Sequence, residues 1–249
     1  MSMRNWRTSN VEHSSFIISL RICREPTTMT QDHDTAFQMS ASNIRFGQGV
    51  TREIGMDLLD LGVRRTLVVI DPALRSLPVG ETVLASLKDN GVPHDVFDEV
   101  CVEPTDSSFQ RAAEVAVAGQ FDSFVAVGGG SAIDTAKAAN LYSTHPADFL
   151  DYVNAPIGRG KPVPAPLKPL IAVPTTAGTG SETTGAATFD YAEKKAKTGI
   201  AHRYLKPTSR INEPDNTPTL PAAAPPATGL YGLLPPLDPS TPISYTHPP

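Results

Sequence analysis

From residue 41 onward, short apolar runs alternate with segments in which apolar residues recur every three or four positions. The continuous runs Thr66–Ile70, Phe124–Val127 and Leu170–Val173 are typical of strands buried on both faces of a parallel sheet. Shorter strands are predicted over Ile44–Gly47 and Asp95–Asp98, and helices over Gly49–Leu61, Val79–Asn90, Ser107–Ala118 and from Ser131 to Tyr142. This alternation predicts an α/β fold, a Rossmann-like doubly wound parallel sheet with right-handed crossovers.

Three consecutive glycines lie between a buried strand and the helix that follows it. The Phe124–Val127 strand breaks at Gly128, Gly129 and Gly130, and a helical segment opens at Ser131. Glycines let the backbone approach an anion closely, and the N–H groups and positive dipole end of the next helix attract it. The segment therefore predicts a phosphate-binding turn that holds a nucleotide. Its spacing differs from G-x-G-x-x-G, and no Gly-Lys-Ser/Thr closes it, which disfavours ATP hydrolysis.

Asp134 lies three residues after Ser131, and this Ser-x-x-Asp pattern has two interpretations. The pair can cap the helix in a purely structural role. It can also belong to the nucleotide site, with Ser131 at the phosphate. A carboxylate that faced a phosphate directly would repel it, so Asp134 is expected as a cap or a supporting group of the cofactor site rather than as a phosphate ligand.

Asp71 directly follows the Thr66–Ile70 strand, at the sheet edge where ligands of this fold bind. An acid at this position commonly accepts hydrogen bonds from a ribose 2′-hydroxyl and excludes a 2′-phosphate by charge. Because Asp71 precedes Pro72, it can equally serve only to form a turn. The functional interpretation favours NAD over NADP.

A hydroxyl-rich segment follows the third buried strand at the same edge. Thr175, Thr176 and Thr179 are candidates for contacts to ribose and phosphate, although Ser/Thr-rich loops are also common on surfaces. Lys197 lies in a lysine cluster for which a solvated face is the default interpretation. No catalytic residue and no metal ligand can be assigned, because the six histidines share no ligand spacing.

Composition narrows the possible partners. The chain has 249 residues, a net charge of −5 and 40% hydrophobic residues, and its basic residues form no dense patch, so nucleic acid is not an expected partner. No apolar run approaches the length of a membrane helix. Cys23 and Cys101 are the only cysteines, which implies neither a disulfide framework nor a cysteine zinc site.

Both ends of the chain differ from the middle in composition. Residues 1–40 are rich in Ser, Thr and Arg but contain several acids, so they fit either a mitochondrial transit peptide or a merely disordered leader. Prolines are dense after Pro207, which predicts a disordered or polyproline tail over residues 209–249. The dinucleotide-binding α/β domain is accordingly predicted over residues 41–208.

The middle of the chain resembles the iron-containing, group III alcohol dehydrogenase family. The resemblance rests on several unusual strings in one order: Asn43-Ile-Arg-Phe-Gly47, Val102-Glu-Pro-Thr-Asp-Ser-Ser108, Val125-Ala-Val-Gly-Gly-Gly-Ser131, Asp148-Phe-Leu-Asp-Tyr-Val-Asn-Ala-Pro-Ile-Gly158, Pro166-Leu-Lys-Pro-Leu-Ile-Ala-Val-Pro-Thr-Thr176 and Gly178-Thr-Gly-Ser-Glu-Thr-Thr-Gly185. It implies an N-terminal dinucleotide-binding domain followed by a helical domain that holds iron or zinc, which acts as a Lewis acid on the substrate oxygen.

The resemblance also implies an activity and roles for particular residues. It is strongest to mitochondrial members that oxidise 4-hydroxybutyrate and reduce 2-oxoglutarate, so small hydroxy acid and oxo acid partners, a matrix location and a possible homo-oligomer are expected. Asp71 would bind the adenosine ribose and Gly129, Gly130 and Ser131 the pyrophosphate. The three threonines would line the rest of NAD, and Lys197 would lie near the nicotinamide.

The chain is expected to depart from the family after Lys206-Pro-Thr208. The family's metal ligands, an Asp-x-x-x-His pair and two later histidines, have no counterpart here, so the helical metal-binding domain is expected to be absent and the chain to lack turnover. Two alternatives stay open. The chain can be a non-catalytic nucleotide-binding fragment, or a related enzyme such as another iron-type alcohol or glycerol dehydrogenase or a dehydroquinate-synthase-like lyase.

Overall fold

The computed structural model of the protein describes residues 43–216. Its helices are α1 (Ile54–Asp60), α2 (Pro78–Asp89), α3 (Asp106–Gly119), α4 (Gly130–Thr144) and α5 (Phe149–Tyr152). Its strands are β1 (Asn43–Phe46), β2 (Thr66–Ile70), β3 (His94–Phe97), β4 (Ser123–Gly128), β5 (Leu170–Pro174), β6 (Ala186–Tyr191), β7 (Ala196–Ala201) and β8 (Ser209–Asn212). Short 3-10 turns lie at Val50–Glu53, Pro72–Leu74, Arg203–Leu205 and Pro214–Asn216.

The described strands form one parallel sheet of six strands and a separate antiparallel hairpin. The sheet order is β1-β8-β5-β4-β2-β3, and every pair in it is parallel. The predicted Rossmann-like parallel sheet is therefore confirmed. Because all six strands point the same way, their carboxyl ends share one edge, and β2, β4 and β5 end there at Ile70, Gly128 and Pro174.

Apolar side chains cover both faces of the sheet. One buried layer joins the sheet to α3 and α4 and includes Leu67, Phe124 and Ile133. The other joins it to α1 and α2 and includes Leu58, Val83 and Val127. Every residue of β2 and β4 is buried, as the continuous apolar runs of their sequences predict.

The β6–β7 hairpin was not predicted from the apolar pattern. It is closed by a turn in which Lys195 has a φ of +47°, and Lys197 pairs with Asp190 across it. Phe189 of β6 packs against Phe109 of α3, with ring centroids 5.3 Å apart, and against Phe149 of α5, 5.2 Å away. The hairpin thus packs against both α3 and α5.

The domain boundary predicted after Thr208 falls before a strand of the sheet. Residues 209–212 form β8, which lies between β1 and β5. Glu213 then accepts hydrogen bonds from the backbone N–H groups of Gly49 (2.7 Å) and Thr51 (2.9 Å). The tail prediction overlooked this strand because only Ile211 in it is apolar and prolines flank it. The predicted leader, and the tail from residue 217, lie outside the described residues.

Candidate functional site

The glycine turn has the close-packed backbone that its sequence suggests. Gly128 ends β4 with a φ of +146°, and a Cβ there would lie 2.8 Å from the Cβ of Ala132. A Cβ on Gly129 would lie 3.0 Å from the hydroxyl of Thr176, and one on Gly130 would lie 3.3 Å from the Cβ of Thr179. Side chains at Gly129 and Gly130 would occupy the narrow space between the turn and the loop that follows β5.

Helix α4 begins directly at this turn. Gly129 is its N-cap and supplies no side chain to the free N–H groups of the first turn. The helix runs for 15 residues, so its positive dipole end and its unpaired amides together favour an anion at the turn. Ser131 lies inside this first turn, and its carbonyl accepts a hydrogen bond from the Thr135 hydroxyl at 2.7 Å.

The threonine segment lies across the glycine turn. The backbone N–H of Thr175 donates to the carbonyl of Gly128 at 3.0 Å, which continues the sheet ladder beyond β5. The hydroxyl of Thr176 is buried beside Gly129 and has no hydrogen-bond partner within residues 43–216. A buried polar group without a partner is unfavourable, so a ligand that supplied one would bind here preferentially. Thr179 is exposed, and its hydroxyl accepts from the Ser181 N–H at 3.4 Å.

Asp71 lies next to the turn as the chain leaves β2. Its N–H donates to the carbonyl of Val127 at 3.1 Å, and a Cβ on Gly128 would lie 3.3 Å from the Asp71 Cβ. One carboxylate oxygen accepts from the N–H of Ala73 at 2.9 Å and caps the 3-10 turn that follows. The turn-forming role is therefore present. The ribose role stays a prediction that this position allows.

The helix-cap interpretation of Ser131 and Asp134 is wrong, because α4 starts at Gly130 and Gly129 is its cap. Asp134 is 4% exposed. Its carboxylate accepts from Lys137 Nζ (3.2 Å) and from the N–H (3.0 Å) and hydroxyl (3.1 Å) of Thr188 in β6. These contacts turn it away from the glycine turn towards the hairpin. They make Asp134 a group that fastens α4 to β6.

Lys137 is a functional candidate that the sequence patterns did not single out. Its side chain is 0% exposed and donates to Asp134 and to the carbonyl of Ala186 at 2.5 Å. Burial lowers the pKa of Lys137, against the opposing effects of Asp134 and Glu182. The only signal in the sequence was an Asp and a Lys three residues apart within an alanine-rich helix.

Glu182 and Arg210 extend this buried polar cluster. Glu182 Oε1 lies 3.7 Å from Arg210 Nη1. The other carboxylate oxygen of Glu182 and the Nε of Arg210 are buried without hydrogen-bond partners in the described part of the chain. Sequence reasoning missed both residues. Its sequence motif gives Glu182 no role, and Arg210 falls in the predicted tail.

Lys197 lies on β7, where its half-exposed side chain is 3.9 Å from the carboxylate of Asp190. Its ion-pair contact belongs to the hairpin and not to the glycine turn. Within residues 43–216, no group of three or more His, Cys, Asp or Glu side chains is arranged to hold a metal ion. In the same range, no helix has the length and apolar character needed to cross a membrane.

Comparison with known proteins shows which family the chain matches. Residues 41–214 match the model of the family described as "Iron-containing alcohol dehydrogenase". The chain is 54% identical over 221 residues to the bovine (Bos taurus) "Hydroxyacid-oxoacid transhydrogenase, mitochondrial", covering 88% of this chain and 47% of that protein. The Xenopus laevis protein of the same name is 56% identical over 213 residues, covering 85% and 46%. The chain thus spans about half the length of these relatives.

Solved structures give the same result. A 1,3-propanediol oxidoreductase superimposes with a TM-score of 0.71 at 31% identity, covering 79% of this chain and 50% of that one. A sulfoacetaldehyde reductase from Bifidobacterium kashiwanohense, in complex with NAD+, superimposes with a TM-score of 0.69 at 27% identity, covering 79% and 51%.

The position predicted for the departure from the family, after Thr208, is too early. The family match continues to Pro214. The bovine match covers 88% of the 249-residue chain, which is more than the 208 residues that precede the predicted departure. Similarity to the relatives therefore extends into the segment that forms β8 and beyond it.

Proposed function

Because this chain belongs to the iron-containing alcohol dehydrogenase family, we propose that it is an oxidoreductase whose residues 43–216 bind NAD. One observation carries the proposal. The uncapped start of α4 faces a space bounded by three glycines and by the buried, unpartnered hydroxyl of Thr176. Backbone amides and a hydroxyl donor around such a space suit a pyrophosphate.

Different residues around the turn bind different parts of the dinucleotide. The amides of Gly129, Gly130 and Ser131 bind the pyrophosphate, and Gly128 brings the backbone close to it. Thr175, Thr176 and Thr179 contact the rest of the dinucleotide from the opposite side. The free oxygen of Asp71 accepts from the adenosine ribose and repels a 2′-phosphate, which selects NAD over NADP.

In this proposal Asp134 supports the cofactor site without touching the cofactor, whereas Lys197 lies beside the nicotinamide. Asp134 holds α4 against β6 through Lys137 and Thr188, so that the helix start keeps its position under the pyrophosphate. Lys197 approaches the nicotinamide, the role expected from the family resemblance. That role requires its side chain to leave Asp190, from which it is separated by 3.9 Å on a half-exposed surface.

The reaction proposed is that of the transhydrogenase relatives. When bound, the nicotinamide would supply reversible hydride transfer. 4-Hydroxybutyrate would lose a hydride and a proton to give succinic semialdehyde, and 2-oxoglutarate would take up the hydride and a proton to give 2-hydroxyglutarate. The nucleotide is regenerated, so no further oxidant is consumed. Residues 43–216 contain no group of side chains that fits the iron or zinc of the family.

The lack of side chains that fit a metal favours a second candidate function. The chain can bind the dinucleotide without turning over a substrate, as a non-catalytic member of the family. A third candidate, another iron-type alcohol or glycerol dehydrogenase, shares the fold but would use a simple alcohol. All three use the same glycine turn.

An assay separates these functions. The full chain is incubated with NAD, 4-hydroxybutyrate and 2-oxoglutarate, with and without added iron or zinc. A parallel reaction contains a simple alcohol in place of 4-hydroxybutyrate, and NADH and 2-hydroxyglutarate are measured in both. Formation of 2-hydroxyglutarate supports the transhydrogenase. NADH formed from 4-hydroxybutyrate or a simple alcohol with no 2-hydroxyglutarate supports another dehydrogenase. A thermal shift with NAD but no product supports the non-catalytic protein. No NAD-dependent shift overturns the cofactor proposal, because a ligand of the native state raises its stability.

A mitochondrial location, in the matrix, completes the proposal. It is supported by the relatives named as mitochondrial and by the Arg- and Ser-containing composition of residues 1–40. The full chain fused to a fluorescent protein should colocalise with a matrix marker, and removal of residues 1–40 should abolish the colocalisation.

A further inference from the structure

A cavity of about 280 Å³ opens where β5 and β8 begin. β5 starts at Leu170 and β8 at Ser209, whereas β4 ends at Gly128. In a parallel sheet all strands begin at one edge and end at the opposite edge. This cavity therefore lies at the edge of the sheet opposite the glycine turn. Its charged lining residues are all basic: Lys168, Arg203 and Lys206.

The backbone that carries Lys168 is held firmly. Asn140 of α4 is 1% exposed. Its amide nitrogen donates to the carbonyl of Lys168 at 2.7 Å, and its amide oxygen accepts from the Lys168 N–H at 3.2 Å and from the Thr144 hydroxyl at 3.1 Å. Three hydrogen bonds to one buried side chain fix the wall of the cavity before any ligand arrives, which lowers the ordering cost of binding.

Arg203 belongs to the short 3-10 turn Arg203–Leu205, which also lines the cavity. His202 caps this 3-10 turn by accepting from the Tyr204 N–H at 3.3 Å. The guanidinium of Arg203 lies 5.1 Å from the centre of the Tyr204 ring and donates to the Tyr204 hydroxyl at 3.4 Å. A stacked guanidinium keeps other N–H groups available for an anion. The Thr208 hydroxyl, which accepts from the Leu170 N–H at 3.2 Å, also has a proton to donate.

Within the described residues, the ammonium charge of Lys168 is only weakly balanced. Burial lowers the pKa of both Lys168 and Lys206, and nearby Arg210 lowers that of Lys206 further. Asp122 opposes the effect on Lys168, but its carboxylate already accepts from the N–H groups of Arg64 (3.0 Å) and Arg65 (2.9 Å). A bound anion would favour the charged form of Lys168 and so oppose the effect of burial on its pKa.

We propose that this cavity binds a small polyanion, a molecule with two or more phosphate or carboxylate charges, at a site separate from the dinucleotide. The volume lies at the small end of ligand pockets, which suits a compact dicarboxylate or diphosphate rather than a nucleotide. Because the Asn140 and Tyr204 contacts hold the wall in place, the site exists before the anion binds.

Titration calorimetry with two probes, pyrophosphate and succinate, tests the proposal on the full chain. Lys168→Gln and Arg203→Gln should each weaken binding about tenfold, the effect of losing one charge-assisted hydrogen bond. Lys88→Gln removes the same charge from an exposed position at the end of α2 and should leave the affinity unchanged. Whichever probe binds more tightly assigns the class of anion, phosphate or carboxylate.

The glycine turn can itself attract pyrophosphate, so the titrations are repeated in Gly129→Val, in which the added side chain meets Thr176. Binding that survives in Gly129→Val and weakens on adding Lys168→Gln belongs to the cavity. The proposal is overturned if neither probe binds the wild-type chain, or if Lys168→Gln and Arg203→Gln bind both probes as tightly as Lys88→Gln does. Circular dichroism of each variant confirms that it is folded before it is titrated.

Discussion

At the scale of single residues, the hydroxyl of Thr176 distinguishes a ligand site from a merely well-packed loop. It is buried beside Gly129 without a partner in the described residues. Thr66 also has a buried hydroxyl without a partner in the described residues. It lies at the start of β2, at the edge of the sheet opposite the glycine turn. The two threonines share their burial and differ in position.

We expect Thr176→Val to weaken NAD binding about three- to tenfold, the contribution of one neutral hydrogen bond, while the unfolding free energy of the NAD-free protein stays equal or rises by about 1 kcal/mol. NAD titration and urea unfolding measure the two effects. Thr66→Val is the matched control and should change only stability. Equal NAD affinity in both variants would contradict a role for the Thr176 hydroxyl in cofactor binding.

At the scale of elements, α4 and β6 are joined by a buried ion pair. Lys137 contacts Asp134 on its own helix and the carbonyl of Ala186 on the hairpin. Asp134 in turn accepts two hydrogen bonds from Thr188. The helix that starts at the glycine turn is thereby fixed to the hairpin that carries Lys197.

Lys137→Met removes one partner of this pair and leaves the carboxylate of Asp134 buried without its cation. We expect the free energy of unfolding to fall by about 3–5 kcal/mol, measured by urea denaturation. Lys88→Met, at an exposed position of α2, should change it by no more than about 0.5 kcal/mol. A loss in Lys137→Met as small as that of the control would show that the pair does not stabilise the fold.

The same lysine predicts a pH dependence. Burial lowers the pKa of Lys137 in the folded protein below its ordinary value of 10.5. Between the lowered pKa and 10.5, the unfolded chain binds more protons than the folded one, so the contribution of Lys137 to stability rises with pH. The difference in unfolding free energy between wild type and Lys137→Met should therefore increase as the pH approaches 10.5. A difference that stays constant between pH 7 and 10 would contradict a lowered pKa.

Five strands were predicted from the sequence, β1 to β5, and the three central ones follow most directly from their composition. β2, β4 and β5 are short apolar runs that only a two-sided core can accommodate, and the glycines after β4 have few other uses. β6, β7 and β8 were missed because each has one face open or a partner distant in sequence. Ser209–Asn212 becomes a strand through pairing with β1, whose residues lie 166 positions earlier.

The candidate site divides in the same way. The glycines, Asp71 and the threonines follow buried strands, so the position of each strand end predicted that they meet at one edge. Lys137, Glu182 and Arg210 meet through the packing of α4, a loop and β8. Their proximity depends on three-dimensional contacts that no local spacing reveals.

At the scale of the whole molecule, β8 is an interior strand and not the beginning of a tail. A chain that ends at residue 208 lacks β8. It should therefore leave β1 without a partner strand, leave β5 unpaired on the side away from β4, and expose the buried Ile171 and Val173. We expect it to aggregate or to unfold without cooperativity, whereas a chain that ends at residue 216 should unfold in one transition. Circular dichroism during thermal unfolding compares the two. Equal midpoints would contradict the position of β8 in the sheet.

The pairing of β1 with β8 also sets the order in which the protein can assemble as it is synthesised. β1 leaves the ribosome long before its partner, and Glu213, which binds the amides of Gly49 and Thr51, follows later still. Until then β1 and the edge of β5 both carry unpaired backbone groups that can associate with other chains. Completion of the sheet is therefore a late event, delayed by the closure of a long loop, and the nascent chain depends on protection of these edges until residue 213 has emerged.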